Sequence, residues 1–345
     1  MGAHRGVLPE KSGVAFQVPQ RRRILGLAAA LATLGVAGAA RAQGDAKAWP
    51  ARAVRLILPF TPGGSTDFQG RILCDMLTRH FGQQFVVDYK PGAGSNIGVA
   101  EVARSAPDGY TLGWITVASH AINPTLYAKL PFDHLRDFAP VSMIGMFPNL
   151  LVLNNALPVR TVPELITLLK NEPGKYAFAS SGQGTSLHLS GELFKLMTGT
   201  DMLHVPYKGG GPAVTDVIAG QVHMTFGNMP TVLPHVRSGK VRALAVTSAE
   251  RWFTAPEIPA MAETVPGFLA MSWHGVAFPA GTPGAIVDKL AAAIHRALAT
   301  PEMQERLASG GSKATPMSPQ EFAAFIRADT ERWAPAIKAS GARVE

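Results

Sequence analysis

Three segments place glycine and hydroxyl-bearing residues between a β-branched run and an apolar pattern of helical spacing: TPGGSTD (Thr61–Asp67), SSGQGTS (Ser180–Ser186) and KGGGPAVTD (Lys208–Asp216). The chemistry such a segment supports is anion binding. A helix N-terminus presents backbone N–H groups without intrahelical partners and about half a positive charge, which favours a carboxylate or phosphate. Glycine at Gly63, Gly64, Gly182, Gly184 and Gly209 lets the backbone approach a ligand closely, Thr61, Ser65, Ser180, Ser181 and Thr185 add hydroxyl donors, and Lys208 adds a point charge. Taken alone, each loop turns the chain and caps a helix, as most such loops do. The recurrence of the plan, with no rival site in the sequence, points to a ligand. Asp67 reads first as an acid in the opening turn of a helix and second as a ligand contact.

There is no G-x-S-x-G elbow, no Walker sequence and no H-E-x-x-H, and GAGSNIG (Gly92–Gly98) has the wrong spacing for a dinucleotide fingerprint. His188 and Glu192 share a helix face at i, i+4, a pairing commoner as a surface or capping contact than as a metal site. Ser181 with His188 can be drawn as nucleophile and base of a hydrolase or lyase, but no third residue is indicated to orient them. Cys74, the only cysteine, excludes an intrachain disulfide; within an amphipathic helix it reads as a small buried apolar residue. The expectation is a binding protein without catalysis, metal or cofactor.

The loops need elements to position them, and the sequence supplies an alternation of short strands and helices, the pattern of an α/β fold with largely parallel sheets. Val54–Leu58 reads as a strand, followed by a helix with Phe68, Ile72, Met76 and Leu77 on one face; Gln84–Tyr89 and Tyr110–Val117 read as further strands. A second block repeats the logic: a strand at Asn149–Leu153, a helix from Val162 opened by Thr161 and Pro163, then strands at Lys175–Ser180, His204–Tyr207, His223–Asn228 and Val241–Thr247. Val276–Pro279 is a last strand before two amphipathic helices, Ala285–Ala299 and one beginning near Gln320. Ligands of open α/β sheets lie beyond the carboxyl ends of strands, where the three glycine loops fall. The expected organisation is discontinuous: domain 1 from 43–148 plus 271–345, domain 2 from 149–270, and crossing strands near 149 and 276 as the hinge.

The chain has 345 residues, 47% hydrophobic and 16% charged, a composition that packs rather than stays disordered. Arg21-Arg22-Arg23, the small and apolar stretch Ile24–Ala40 and the Ala40-Arg41-Ala42 pattern read as an export signal over 1–42, cleaved after Ala42 and served by the general or the twin-arginine route. That segment holds six of the 32 basic residues and one of the 24 acidic ones, so the rest carries 26 against 23, a net +3. Such a balance, without a basic run interleaved with aromatics, argues against a nucleic-acid partner.

In order and spacing, PGGSTD (Pro62–Asp67), KPGAGSNIG (Lys90–Gly98), APDGYTL (Ala106–Leu112), INPTLY (Ile122–Tyr127), DFAPVSMIG (Asp137–Gly145), ASSGQGTSLHLSGELF (Ala179–Phe194), HVPYKGGGPAVTDVIAGQV (His204–Val222), GKVRALAVTS (Gly239–Ser248) and PAGTP (Pro279–Pro283) resemble the Bug family of periplasmic solute-binding receptors, the receptors of tripartite tricarboxylate transporters. The resemblance runs from Trp49 to the C-terminus. It implies a two-domain periplasmic binding protein of the Venus-flytrap, type II-like kind that closes on a small organic carboxylate and delivers it to two membrane subunits of a transporter; the alternative reading is a ligand sensor that docks on a sensor kinase, and a monomer is expected. It also implies that the loop at Pro62–Asp67 holds one end of the ligand, Ser180–Thr185 with His188 the other, and that Tyr207–Gly209 and Asn228 line the second-domain wall. The chain departs from the family pattern at Gly227, where an acid is common, at Thr61 and Ser65, where proline is common, and at Ser95, where glycine is usual. Loss of the acid favours a ligand without a cationic group.

Overall fold

The computed structural model of the chain describes residues 1–4, 6–7 and 48–344. The export signal read at 1–42 lies outside them, apart from its first few residues. Two compact units are distinguished, Met1–Lys47 and Ala48–Glu345, and all the elements below belong to the second.

The first sheet starts from β1 (Val54–Leu58), whose five residues include four buried ones, as expected of a strand covered on both faces. The chain then forms α1 (Ser65–Phe81), β2 (Phe85–Tyr89), α2 (Asn96–Ala103) and β3 (Thr111–Thr116), with β2 and β3 parallel to β1 on either side. α1 buries Ile72, Leu73, Met76 and Leu77 and ends where Gly82, at φ 68°, donates its N–H to Thr78 O at 2.9 Å. A π-helical turn over Ala118–Ile122 and the short α3 (Asn123–Leu126) lead into β4 (Phe138–Leu153), 16 residues long.

β4 belongs to both sheets. Its first part, through Pro148, pairs with β9 (Met271–Pro279); from Asn149 onward it pairs with β7 (Met224–Asn228) and β8 (Arg242–Val246). Between these lie α4 (Val162–Asn171), β5 (Ala177–Ser180), α5 (Ser186–Thr198), β6 (Leu203–Pro206), α6 (Gly210–Ala219) and α7 (Met229–Arg237). Thr161 caps α4 by accepting from Glu164 N at 3.3 Å, with proline in the first turn. After β9 come α8 (Gly284–Leu298), α9 (Pro301–Ser309), β10 (Lys313–Ala314) and α10 (Pro319–Ser340). The strand order is β2-β1-β3-β9-β4 in the first sheet, with β10 also on β4, and β4-β7-β5-β6 in the second, with β8 also on β4.

Two sequence expectations change. The sheets are mixed rather than largely parallel: β1, β2 and β3 are parallel, as are β5, β6 and β7, but β9, β10, β8 and β4 all pair antiparallel. The reason is the crossing itself, since a strand leaving one sheet and another returning to it lie side by side in opposite directions. The last strand, read as Val276–Pro279, also begins earlier, at Met271. Ala270 still donates to Thr247 O of the second sheet's margin at 2.9 Å, and the next residue, Met271, already pairs with Pro148.

One apolar cluster joins the two sheets on the side covered by α10, from Ile57 and Ile115 through Leu151 and Phe178 to Trp333. A second lies under α6 and α7, with Phe147, Val152, Val217 and Val232. Among the described residues no helix is long and apolar enough to cross a membrane.

Candidate ligand-binding site

Beside the glycine loops, two cavities open between the lobes. The inner one, about 20 Å³, is lined on the first lobe by Phe60, Gly64, Ser65, Thr66, Thr116, Ser272 and His274, and on the second by Ser181, Thr185, Ser186, Gly210, Asn228 and Thr231. The outer one, about 250 Å³, is lined by Phe60, the Gly92–Ser95 turn and Tyr127 from the first lobe and by Ser181, Gly182, Gln183, Pro206, Tyr207 and Lys208 from the second. Phe60 and Ser181 form a wall common to both. The inner cavity accommodates roughly one or two heavy atoms, the end of a molecule rather than the whole of one.

Four helices bring their N-termini to the inner cavity: α1 at Gly64–Thr66, α5 at Thr185–Ser186, α6 at Gly210 and α7 at Asn228. On α1, α6 and α7 no side chain caps the first turn, so N–H groups without helical partners remain for whatever enters. On α5 the Thr185 hydroxyl accepts from His188 N. The Thr116 and Thr231 hydroxyls, both buried in the cavity wall, have no partner among the described residues. Neither lysine nor arginine lines the inner cavity. His274, 1% exposed, is pushed down to about 3 by burial and is therefore a neutral ring at ordinary pH; its Nδ1 lies 3.0 Å from Gln69 Oε1. Four aligned backbone dipoles and neutral hydroxyls thus create a positive potential without a desolvated cation.

The lobes meet along a seam of glycine. Thr61 donates its N–H to Lys208 O at 3.2 Å, and Asn228 Nδ2 donates to Ser65 Oγ at 2.9 Å. A Cβ on Gly211 would come within 2.7 Å of Pro62 O, so a side chain there holds the lobes apart. Gly63, at φ 83°, adopts the left-handed turn that lets this loop reach the seam.

Of the residues singled out in the sequence, Gly64, Ser65, Ser181, Thr185 and Asn228 line the inner cavity and Ser181, Gly182, Tyr207 and Lys208 the outer one. The others stand behind them. Asp67 lines neither cavity: its carboxylate accepts from Gly63 N at 2.9 Å, from Arg71 Nε at 2.6 Å and from the Tyr89 hydroxyl. Burial pushes that carboxyl up, but the bonds from Tyr89, Gly63 and Arg71 and the charge of Arg71 outweigh it and hold it below the ordinary carboxylate range. Thr61, Gly63 and Gly209 form the seam. Ser180 ties the second loop, its hydroxyl lying 3.1 Å from both Gly182 N and Gly182 O and 2.6 Å from His204 Nε2. His188 lies beneath that loop, accepting from Gly184 N at Nδ1 (3.3 Å) and stacking on His204 with centroids 4.1 Å apart. Burial pushes His188 down to about 4 and His204 to about 3. His188 therefore makes its hydrogen bonds with the loop backbone, and no bond joins it to Ser181 among the described contacts. Its Nε2 is 4.0 Å from Glu192 Oε1, and among the described residues no cluster of three metal-ligating side chains occurs.

Sequence reasoning missed Phe60, Thr116, Thr231, Ser272, His274, Ser95 and Tyr127. Thr116 ends β3 beside β1, so the carboxyl-end rule that found the glycine loops pointed to it as well. Ser272 and His274 lie on β9, an antiparallel strand to which that rule does not apply.

Two sheets joined by a shared strand, with helix N-termini from both lobes aimed into the space between them, define a two-lobed solute-binding protein. The family described as Tripartite tricarboxylate transporter family receptor matches residues 70–342, and the chain belongs to it. It is 39% identical to Protein BugT of Bordetella pertussis over 317 residues, 91% of this chain and 96% of that one. The solved structure of Rpa4515 from R. palustris with adipate matches at 38% identity and TM-score 0.84, covering 86% of this chain and all of the other. MatC from Rhodopseudomonas palustris with bound malate matches at 30% identity and TM-score 0.80 over 84% of this chain and all of the other. The family is one of periplasmic solute-binding receptors.

Proposed function

We propose that this chain is an extracytoplasmic receptor that captures a small carboxylate-bearing organic molecule between its lobes and hands it to the membrane subunits of a tripartite tricarboxylate-type transporter. In this reading segment 1–42 exports the chain to the periplasm, the lobes divide as 43–148 plus 271–345 and 149–270, and the receptor works as a monomer without cofactor or catalysis. The observation that carries it is the convergence of four helix N-termini on a cavity with no lysine or arginine in its wall. That arrangement selects a compact anion and holds it by backbone N–H groups and hydroxyls. Adipate and malate in the two R. palustris relatives are anions of this kind. No acid lines either cavity, which favours a ligand without an amino group.

The test is a thermal-shift and calorimetric screen of residues 43–345 against mono-, di- and tricarboxylates, aliphatic and aromatic, each with an amino-bearing counterpart, with the ligand assayed afterwards. Saturable single-site binding of a carboxylate recovered unchanged is expected. No binding by any carboxylate, or conversion of the ligand, overturns the reading.

A further inference from the structure

His274 stands at the inner cavity with half of its hydrogen bonding already committed. Its ring is held edge-on between Trp114 and Phe147, with centroids 5.4 and 4.8 Å away. Behind it lie Gln69 of α1 and Ser312, which precedes β10; they are buried and line neither cavity. Gln69 Nε2 donates to Ser312 Oγ at 2.7 Å, which leaves Gln69 Oε1, an acceptor, 3.0 Å from His274 Nδ1. Two acceptors cannot share a hydrogen bond, so Nδ1 carries the ring proton. The ring is uncharged, and Nε2 is left with a lone pair and no proton.

Nε2 has no partner among the described residues, and it is not among the unpaired side-chain atoms that are sealed from solvent. The small exposed part of this residue, which lines the inner cavity, therefore includes that atom. Most of the wall has the opposite polarity, since the N–H groups of the helix N-termini only donate. Thr66, Ser181 and Ser272 bring hydroxyls to the same wall, but a hydroxyl turns to donate or to accept. His274 is held by its aromatic neighbours, and Gln69 keeps its proton on the far side. A lone pair fixed among donors repels a carboxylate oxygen and calls for a hydrogen from the ligand.

We propose that Gln69 is a positioning residue: by fixing the proton of His274 on Nδ1 it makes Nε2 a hydrogen-bond acceptor in the inner cavity, which selects a carboxylate bearing a hydroxyl on the neighbouring carbon over the same acid without it. This rests on the carboxylate-receptor reading above. One carboxylate oxygen lies among the helix N-termini while the hydroxyl donates to Nε2, and these two heavy atoms are what a cavity of about 20 Å³ accommodates. An acid lacking the hydroxyl leaves the lone pair unpaired in a closed cleft. A site built to bond a hydroxyl discriminates strongly against the analogue without one.

The probes are α-hydroxy acids, each as both enantiomers, and the same acids without the hydroxyl: lactate against propionate, malate against succinate, mandelate against phenylacetate. Each is titrated by calorimetry into the wild type, Gln69→Leu and His274→Phe. The wild type is expected to bind one enantiomer of at least one hydroxy acid about tenfold or more tightly than its counterpart, the effect of one hydrogen bond to an otherwise unpaired acceptor. Both variants are expected to bring that ratio within about threefold of unity. Nitrogen NMR of histidine-labelled wild type is expected to show His274 protonated at Nδ1 and bare at Nε2, with the Nε2 signal moving when the hydroxy acid binds; Gln69→Leu loses the fixed tautomer. A Gln69 that only supports packing would lower Tm and leave both the ratio and the tautomer as they were. If Gln69→Leu fails to fold, His274→Phe and the wild-type spectrum decide. Acids that bind with no preference for the hydroxy member of any pair, a ratio unmoved by the variants, or a proton found on Nε2 overturns the inference while leaving the receptor reading intact. Binding of no carboxylate at all overturns both.

Discussion

Asp67 shows how a residue chosen for its charge serves the ligand at one remove. Its carboxylate gathers the Gly63 N–H, the Arg71 guanidinium and the Tyr89 hydroxyl and so fixes the turn that opens α1. A carboxyl held below its ordinary value contributes stability that is complete above the unfolded-state pKa, near 3.9, and is lost as pH falls through the folded-state value. Asp67→Asn is therefore expected to lower unfolding free energy by about 1–3 kcal/mol at pH 7, with the difference from wild type narrowing below about pH 4; urea titrations at the two pH values measure it. The stacked rings of His188 and His204 have the same sign for another reason. Both are buried neutral, at about 4 and about 3, while the unfolded chain protonates them near 6.5. The unfolded state thus binds more protons across that window, and stability falls as the pH drops from about 6.5 towards 4. His204→Gln, which keeps a partner for Ser180, is expected to flatten the slope of urea midpoint against pH over that interval. An unchanged slope would show that these rings do not govern acid stability.

At the scale of elements, the strand–glycine–helix units were legible because their logic is local: apolar periodicity, a breaker, and a helix start within about ten residues of one another. Thr161 capping α4 and the helix spacing of α1 followed from the same local signals. β4 did not. The sequence suggested a strand beginning at Asn149, yet the element runs from Phe138 through Pro140 and Pro148, residues that argue against a central strand. The prolines are accommodated because β4 shifts register near Pro140 and changes sheets after Pro148. Ser272 and His274 were hidden for a related reason: only the pairing of β9 between β3 and β4 carries them to the cleft. The glycine units make a prediction at this scale. Gly211→Ala places a methyl group against Pro62 O across the seam. It is expected to weaken ligand binding at least tenfold by calorimetry while leaving Tm within a few degrees, because the clash arises where lobes meet and not within either core. A large fall in Tm with unaltered affinity would contradict this.

Over the whole molecule, closure rests on contacts at two places. Beside the cavities are Thr61 with Lys208 and Ser65 with Asn228. Away from them, Trp252 Nε1 donates to Gly311 O at 2.7 Å and Arg237 Nη1 to Ser309 O at 3.1 Å, tying the second lobe to the α9–β10 segment of the first. If these distant bonds favour the closed arrangement, removing one lowers the population that binds and raises the apparent Kd in proportion. Trp252→Phe is expected to weaken ligand affinity about three- to tenfold, corresponding to one neutral hydrogen bond. X-ray scattering should also show a larger radius of gyration in the absence of ligand and the wild-type value at saturation. Equal affinities and superimposable scattering would show the bond to be indifferent to closure.

The strand shared by the sheets also sets an order of assembly. Every strand of the second sheet lies within residues 138–246, whereas the first sheet needs β9, which no ribosome or translocation pore releases until that stretch has emerged. A nascent chain appearing N-terminus first can complete the later lobe while β3 still waits for its neighbour. The N-terminal half is then the last to consolidate, although it is the first to be made. Pulse-labelled hydrogen exchange during refolding would register this as protection of β5 and β7 ahead of β3, and the reverse order would refute it.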